Sequence, residues 1–295
     1  MIQTMREQIQ QATLQLEEAG VTSAAFNARS IWAHAMGMKP WELSLRNPMP
    51  SPQQEARALH LLEQRAKRIP LQHLIGSVGF SGLNIRVSPD VLIPRDETEL
   101  LVEKTCQQIR VCHSPSASIL DMATGSGCIA LALAAALPQA SVDGVDISPQ
   151  ALAIAQQNAS DNGLSDRVTW TQSDLWKAFE GTGKQWEIMV SNPPYIPSQE
   201  IDDLEPEVKD HDPRLALDGG SDGLDYYRRL ALEAPPYLAP EGSLLLECGM
   251  GQAQAIKELF ISASWFAIEI VQDYCHVDRF VMLRRAAGSH TGNHS

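Results

Sequence analysis

A short apolar strand, a glycine turn and an alanine-rich helix follow one another in this 295-residue chain, and this feature constrains the fold most. The strand at residues 118–120 runs into residues 121–130 (DMATGSGCIA), and the helix that follows ends before Pro138. Gly125 and Gly127 lack side chains where a ligand has to approach the backbone, and Ala130 completes a G-x-G-x-x-A pattern. The order strand, turn and helix is typical of nucleotide-binding α/β domains.

The rest of the chain after residue 97 alternates between helical periodicity and short apolar runs. This alternation predicts an α/β fold, a doubly wound Rossmann-like sheet with helices on both faces. Seven strands are predicted. They are residues 118–120, 141–145, 168–172, 187–190, 244–247, 267–272 and 280–283.

The N-terminal part has a different pattern, with apolar residues at helical spacing from residue 1 to 68. Gly20 and Gly37 end the first two predicted helices, and three prolines at 48, 50 and 52 precede a long third helix. Short β-like runs at 78–80 and 83–87 predict a hairpin. We therefore divide the chain into a small helical domain (1–75), a hairpin linker (76–95), an α/β domain (96–287) and a disordered tail (288–295).

The net charge of −13 is distributed unevenly along the chain. Residues 1–95 contain ten Lys and Arg against seven Asp and Glu, whereas the remaining residues contain thirteen against twenty-nine. Such an acidic domain lacks the clustered cations that neutralise the phosphates of a long nucleic acid. The basic cluster Arg65, Lys67 and Arg68 is interpreted as a solvent-exposed helix end.

No stretch approaches the ~20 uncharged apolar residues of a membrane span, and residues 1–20 have no apolar signal-peptide core. We therefore expect a cytoplasmic protein that has no membrane partner. The five cysteines form no C-x-x-C pair and are interpreted as buried thiols. The histidines share no metal-ligand spacing, so no metal site is predicted.

An acidic residue follows the second predicted strand of the sheet. Asp146 lies nineteen residues after Gly127, close to the ~20 expected for a carboxylate that binds a ribose diol. An adenosine-containing cofactor is therefore predicted, either a nicotinamide dinucleotide or S-adenosylmethionine. In the alternative interpretation, Asp146 caps the helix that begins near Ser148, and Asp121 is a hydrogen-bonded turn carboxylate.

A proline-rich corner, Asn192-Pro193-Pro194-Tyr195, follows the fourth predicted strand. It lies at the carboxyl edge of the sheet, where open α/β sheets bind ligands. The two prolines stiffen the corner, so that the Asn192 side-chain carbonyl and a neighbouring main-chain carbonyl can accept both N–H bonds of a planar amino group. Tyr195 adds an aromatic face. An amide nitrogen is a poor nucleophile, and orientation toward a sulfonium methyl would supply much of the rate.

These motifs, in this order, resemble those of class I S-adenosylmethionine-dependent methyltransferases. Three further segments are similar to the PrmC/HemK family of release factor glutamine N5-methyltransferases, and the resemblance covers roughly residues 1–285. The segments are residues 69–76 (IPLQHLIG), 92–99 (LIPRDETE) and 214–220 (RLALDGG). The resemblance implies a helical N-terminal domain that docks the release factor, and methyl transfer to the glutamine of its Gly-Gly-Gln motif.

The resemblance also assigns roles to residues of this chain. The cofactor would be held by Ala123, Thr124, Gly125, Ser126, Gly127, Asp146, Asp174, Leu175 and Asn192. The glutamine would be bound by Asn192, Pro193, Pro194 and Tyr195, with Asn192, Pro193 and Tyr195 catalytic. Ala123 replaces a glycine of the family, and we expect its φ to be negative. Leu175 replaces an aromatic residue of some members, and we expect the neighbouring Trp176 to compensate.

Four other functions are compatible with parts of the pattern. A glutamine methyltransferase of a large-subunit ribosomal protein shares the 121–130 motif. A nucleic acid adenine N6-methyltransferase uses similar chemistry at its Pro-Pro-Tyr corner but needs a basic cleft. A dehydrogenase requires a dinucleotide cofactor, and a noncatalytic adaptor would show damage at Asn192 or at the glycines.

Overall fold

The computed structural model describes residues 4–112 and 114–284. The helices are α1 (Met5–Glu18), α2 (Ala24–Met36), α3 (Pro40–Arg46), α4 (Pro52–Ala66), α5 (Leu71–Ile75), α6 (Asp96–Cys112), α7 (Cys128–Ala136), α8 (Pro149–Asp161), α9 (Pro206–Lys209), α10 (Arg214–Leu217), α11 (Asp225–Glu233) and α12 (Ala253–Ser262). The strands are β1 (Ser77–Phe80), β2 (Leu83–Arg86), β3 (Ser118–Met122), β4 (Ser141–Asp146), β5 (Val168–Gln172), β6 (Trp186–Ser191), β7 (Leu238–Glu247), β8 (Phe266–Gln272) and β9 (Asp278–Arg284).

The chain folds into two compact units. The first contains the residues up to Ser77 together with Leu204–His211, and the second contains Val78–Asp203 and the residues from Asp212 onward. The return of Leu204–His211 to the first unit was not predicted, because a short segment from a distant part of the chain leaves no signal in local periodicity. The predicted disordered tail, 288–295, lies outside the described residues.

The first unit is helical. The side chain of Thr4 accepts a hydrogen bond from the backbone of Glu7 at the start of α1, and the Glu7 carboxylate accepts one from the backbone of Thr4. Ser51 and Gln54 form the same pair at the start of α4. Gly37 ends α2 with a φ of 67°. The three long helices thus begin and end near the predicted signals, whereas α3 and α5 were not predicted because they are too short for a periodic pattern.

An ion-pair cluster around the buried Arg65 joins the end of α4 to the returning segment within the first unit. The interpretation of the basic cluster as a solvent-exposed helix end is wrong for Arg65, which is only 4% exposed. Its Nη2 donates to Oε1 of Glu207 at 2.7 Å, and its Nε donates to Asn27 Oδ1 at 2.8 Å. Arg68 donates to both carboxylate oxygens of Glu207, at 2.7 and 2.6 Å, and to Glu205 at 2.6 Å. Periodicity could not show that carboxylates from another segment neutralise these arginines.

The second unit contains one seven-stranded sheet with the order β5-β4-β3-β6-β7-β9-β8. The first five strands in this order are parallel, and β9 is antiparallel to both β7 and β8. All seven predicted strands are present, each except β5 longer than predicted and β7 by the most, and the predicted α/β fold class is confirmed. Buried residues line both faces of the central strands, which explains the continuous apolar runs in the sequence.

The hairpin of β1 and β2 belongs to the second unit from Val78 onward. Phe80 and Ile85 are buried in the core that contains α6 and α7. Asn158 of α8 accepts a hydrogen bond from the backbone of Arg86 at 2.7 Å, and its Nδ2 donates to the carbonyls of Arg86 and Ser126, at 3.1 and 2.9 Å. One buried amide therefore fixes both the hairpin and the glycine turn.

We predict that Glu207→Gln lowers the free energy of unfolding of the first unit by about 2 kcal/mol at pH 7, allowing for partial solvent screening. Burial alone would raise the pKa of Glu207, but hydrogen bonds from Arg68 and Arg65 lower it from 4.5 to about 2. The carboxylate therefore stabilises the fold fully above about pH 4.5, and this contribution is lost as the pH falls through about 2.

Hydrogen–deuterium exchange of the α4 amides in the full chain measures this difference. Glu63→Gln, at an exposed position of the same helix, is the control and should leave exchange unchanged at every pH. Equal protection in Glu207→Gln and the unmodified chain at pH 7 would show that the cluster does not stabilise the unit.

Candidate active site

The carboxyl ends of β3, β4 and β6 meet at one edge of the sheet, beside a cavity of about 370 Å³ in the second unit. Most of the predicted site residues line this cavity. Those that do so are Ala123, Thr124, Gly125, Ser126, Asp146, Asp174, Leu175, Asn192 and Pro194. Gly127, Pro193 and Tyr195 are not among the residues that line it.

Asp121 anchors the turn between β3 and α7. It is fully buried, and its Oδ2 accepts hydrogen bonds from the Thr124 hydroxyl and from the backbone of Ala130, the latter at 3.1 Å. Burial raises the pKa of this carboxyl to about 7, although the two hydrogen bonds act in the opposite direction. These contacts agree with the interpretation of Asp121 as a hydrogen-bonded turn carboxylate.

The backbone of the turn differs from our expectation at Ala123. Its φ is +60°, in the left-handed region, so the expectation of a negative φ is wrong. The turn is held on both sides, because Asp121 binds Thr124 and the Thr124 backbone donates to the carbonyl of Val145 at 2.9 Å. An alanine in this conformation costs about 1–2 kcal/mol relative to the right-handed region.

Gly127 has a packing role at the start of α7. A Cβ at this position would lie 2.8 Å from the Trp170 ring and 2.9 Å from the Cβ of Ala155, and its φ is +79°. The glycine therefore permits close contact between the turn and α8 rather than contact with the cavity.

The carboxylate of Asp146 forms part of the cavity wall. Its Oδ2 accepts from the backbone of Gly125 at 2.8 Å, and its Oδ1 accepts from the backbone of Ser148 at 2.9 Å. Burial raises its pKa, while these backbone hydrogen bonds lower it. The side chain that caps α8 belongs to Ser148, whose Oγ accepts from Ala151 at 3.1 Å, so capping does not account for Asp146. Each carboxylate oxygen keeps a further acceptor position for a ligand hydroxyl.

The corner after β6 presents Asn192 and Pro194 to the cavity. The Oδ1 atom of Asn192 is buried and has no hydrogen-bond partner among the described residues. Such an acceptor is costly to bury and requires a donor, which a ligand in the cavity can provide. Tyr195 instead packs against the hydrophobic core that contains residues of β3, β6, α11 and α12, and burial raises its pKa to about 12. Its carbonyl accepts from Gln252 Nε2 at 2.8 Å, which fixes the end of the corner.

The loop after β5 contributes Asp174 and Leu175. Asp174 forms ion pairs with Lys177 and with Arg229, each at 2.7 Å, and these hydrogen bonds lower its pKa. Trp176 stacks on Tyr237 with the ring centroids 4.8 Å apart, and it is not among the cavity-lining residues. The expectation that Trp176 compensates for Leu175 is therefore wrong.

Sequence reasoning missed several residues of the cavity wall, among them Arg95, Thr98, Tyr226 and Arg229. Arg95 donates to Asp212 at 2.7 Å and thereby joins α6 to the loop before α10. Arg95 and Thr98 lie in the segment LIPRDETE, so the resemblance could have indicated them. Tyr226 and Arg229 lie on α11 in no recognisable motif. Only the packing of α11 against the sheet brings them to the cavity.

No group of three or more His, Cys, Asp or Glu side chains is placed to hold a metal ion within residues 4–112 and 114–284. Cys106, Cys128 and Cys248 are buried free thiols, as expected, whereas Cys275 is exposed. Cys275 lies in the turn between β8 and β9, where no core covers it.

Comparison with known proteins identifies the family. Residues 96–206 match the family model of the methyltransferase small domain, and residues 7–76 match that of the PrmC N-terminal domain. The release factor glutamine methyltransferase of Geobacter sulfurreducens is 42% identical over 95% of this chain and 96% of its own length. The chain belongs to the PrmC/HemK family.

One further relative agrees with this assignment, and one solved structure shares the fold. The release factor glutamine methyltransferase of Deinococcus radiodurans is 40% identical over 96% of this chain and 99% of its own length. The crystal structure of a methyltransferase from Pyrococcus furiosus has the same fold, with 16% identity and a TM-score of 0.51 over 70% of this chain and 90% of its own.

S-adenosyl-L-methionine is the methyl donor of this family, and the cavity fits it. Asp146 offers acceptor positions for ribose hydroxyls, and Gly125 leaves the backbone of the turn open to the ligand. Leu175 and Tyr226 would supply apolar surface for an adenine ring. These residues come from the β3, β4 and β5 loops and from α11.

We predict that Ala123→Gly raises the free energy of unfolding by about 0.5–1 kcal/mol, because glycine adopts a φ of +60° without the Cβ clash. The same substitution at Ala130, inside α7, should lower it by about 1 kcal/mol or more. Urea denaturation of the two variants measures both changes. A loss of stability in Ala123→Gly would contradict the strain assigned to this position.

Proposed function

We propose that this chain transfers the methyl group of S-adenosyl-L-methionine to the side-chain amide nitrogen (N5) of the glutamine in the Gly-Gly-Gln motif of class I peptide chain release factors. The observation that carries the proposal is the buried Oδ1 of Asn192, an acceptor beside the cavity with no partner among the described residues. The relatives that match along nearly the full length of the chain bear the name of this activity.

The chemistry explains why an acceptor is needed at this place. The lone pair of an amide nitrogen is delocalised, so the nitrogen has to be oriented before it can attack. S-adenosylmethionine, when bound, would supply a methyl group activated by the positive charge on its sulfur. The new N–C bond replaces the C–S bond, the sulfur leaves as a neutral thioether, and the amide nitrogen loses one proton to solvent. Asn192 Oδ1 would accept one N–H of the glutamine amide, and a main-chain carbonyl at Pro193 would accept the other. Both acceptors face the nitrogen, where positive charge develops in the transition state, so they stabilise that state more than the ground state.

The two parts of the chain then have different tasks. The helical unit, with its small excess of positive charge, would dock the release factor, and the acidic α/β unit would carry out the transfer. We place the reaction in the cytoplasm, with neither DNA nor a membrane as partner. The acidic balance of the chain supports the absence of nucleic acid, because phosphate binding requires clustered cations. No helix among residues 4–112 and 114–284 has the length and apolar character needed to cross a membrane.

Mass spectrometry of candidate substrates tests the proposal directly. In three parallel reactions, the chain and S-adenosylmethionine are incubated with a release factor, with a large-subunit ribosomal protein or with an adenine-containing DNA duplex. We expect the mass increase of one methyl group on the Gly-Gly-Gln peptide alone. Methylation of only the ribosomal protein would assign the chain to that substrate, methylation of only the duplex would assign it to nucleic acid, and an unmodified release factor would overturn the proposal.

Two substitutions should separate cofactor binding from transfer. Asn192→Ala should lower kcat by ~10² or more and change the Kd of S-adenosylmethionine less than tenfold, because it removes one oriented acceptor. Asp146→Ala should instead weaken cofactor binding by about 1.5–3 kcal/mol, the range for hydrogen bonds to a charged group. Calorimetric titration and steady-state kinetics of both variants measure these effects. Unchanged turnover in Asn192→Ala, or unchanged cofactor affinity in Asp146→Ala, would remove the role assigned to that residue.

A further inference from the structure

Behind Asn192 lie two buried polar side chains, one from α6 and one from β7 of the second unit. Asn192 Nδ2 donates to the Thr98 hydroxyl at 3.2 Å, and the Thr98 hydroxyl donates to Glu247 Oε2 at 2.8 Å. Thr98 and Glu247 are each only 2% exposed. Thr98 lies in the first turn of α6, and Glu247 is the last residue of β7. We call these three residues the amide network.

Ionisation of Glu247 fixes the donor and acceptor roles in the amide network. Above a pH of about 7, where Glu247 is ionised, its carboxylate only accepts hydrogen bonds, so the Thr98 hydroxyl has to give its hydrogen to Glu247. The hydroxyl oxygen then retains only acceptor positions, and these can bind the Nδ2 end of Asn192 but not its Oδ1 end. Without this constraint, a side-chain amide can rotate by half a turn and exchange its donor and acceptor ends.

Among the described residues, the Glu247 carboxylate is hydrogen-bonded within this network, and the positive charge of Arg279 acts on it from nearby. Its hydrogen bonds are to Thr98 and Asn192, whereas the buried Tyr227 hydroxyl donates to the main-chain carbonyl of Glu247 instead, at 2.7 Å. Burial raises the pKa of Glu247 to about 7, although the hydrogen bond from Thr98 and the nearby Arg279 lower it. Burying a carboxylate costs free energy because the charged group loses its hydration, so packing alone does not explain a glutamate at position 247.

We propose that Thr98 and Glu247 are positioning residues that hold the Asn192 amide with Oδ1 directed at the nitrogen to be methylated. The inference rests on the proposed function, since it explains how the acceptor of that reaction is oriented. Neither residue needs to contact the reacting atoms, because both act through Asn192. If the Asn192 amide rotated by half a turn, Nδ2 would face the N–H groups of the substrate. Two hydrogen-bond donors would then face each other, and no hydrogen bond could form.

Thr98→Val removes the hydroxyl at nearly constant volume, and Thr98→Ser restores it. We expect Thr98→Val to lower kcat for the release factor by about tenfold to a hundredfold, with the release factor KM and the S-adenosylmethionine Kd changed less than threefold. Thr98→Ser should keep kcat within about threefold of the unmodified chain. Glu247→Gln should lower kcat to an intermediate level, because a glutamine amide can also donate to the hydroxyl and thereby permits the reverse direction.

Thr105→Val is the matched control. Thr105 is buried on the same helix, and its hydroxyl donates to the Leu101 carbonyl at 2.8 Å. Its loss should lower thermal stability about as much as Thr98→Val but leave kcat unchanged. A kcat that falls equally in both variants, or in neither, would overturn the positioning role.

Nuclear magnetic resonance of the Asn192 side-chain amide tests the network without turnover. The ¹⁵N and ¹H resonances of Nδ2 are assigned by their absence in Asn192→Ala. We expect them to shift and to exchange faster with solvent in Thr98→Val, and to keep their positions in Thr98→Ser and Thr105→Val. Unshifted resonances in Thr98→Val would overturn the inference even if the release factor is methylated. An unmodified chain that fails to methylate any release factor would overturn the proposed function, whatever the resonances show.

Discussion

The buried carboxylate of Asp121 is the contact on which the site depends most. It binds the Thr124 hydroxyl and the Ala130 backbone, and so it joins the end of β3 to the first turn of α7. With this turn held, Ala123 takes a positive φ, and the Gly125 backbone can donate to Asp146 at the end of the neighbouring strand. The cavity therefore has a preorganised wall, since its backbone donors and its carboxylate already bind one another.

Two buried carboxyl groups in this unit have a pKa raised to about 7, and they organise different parts of the site. Asp121 fixes backbone geometry on the side of the glycine turn, and Glu247 contacts the Thr98 and Asn192 side chains on the side of the corner. Burial is the largest cause of the raised pKa in both cases, and hydrogen bonds act against it. Each group lies at the carboxyl end of a central strand, where a parallel sheet leaves its loops free to bind ligands.

Several features of the fold could be predicted because they depend on local patterns. The seven strands appear as continuous apolar runs, since central parallel strands are buried on both faces. The corner at residues 192–195 and the acidic residue at 146 could be placed at one edge of the sheet, because each follows a parallel strand and the carboxyl ends of parallel strands meet at the same edge. Pro193 and Tyr195 are not among the residues that line the cavity, because Tyr195 packs into the core beside the corner.

By itself, the sequence determined the order of strands and helices, the α/β class and the positions of the main site motifs, because periodicity, glycine and proline act on neighbouring residues. Only the tertiary structure decided which distant side chains meet. Thr98 lies 94 residues from Asn192 and 149 from Glu247, and Arg65 lies 142 residues from Glu207. Tertiary contacts also determined the positive φ of Ala123, since hydrogen bonds hold the turn on both sides. Buried polar groups need partners wherever the folded chain brings them, and no local pattern records where those partners lie.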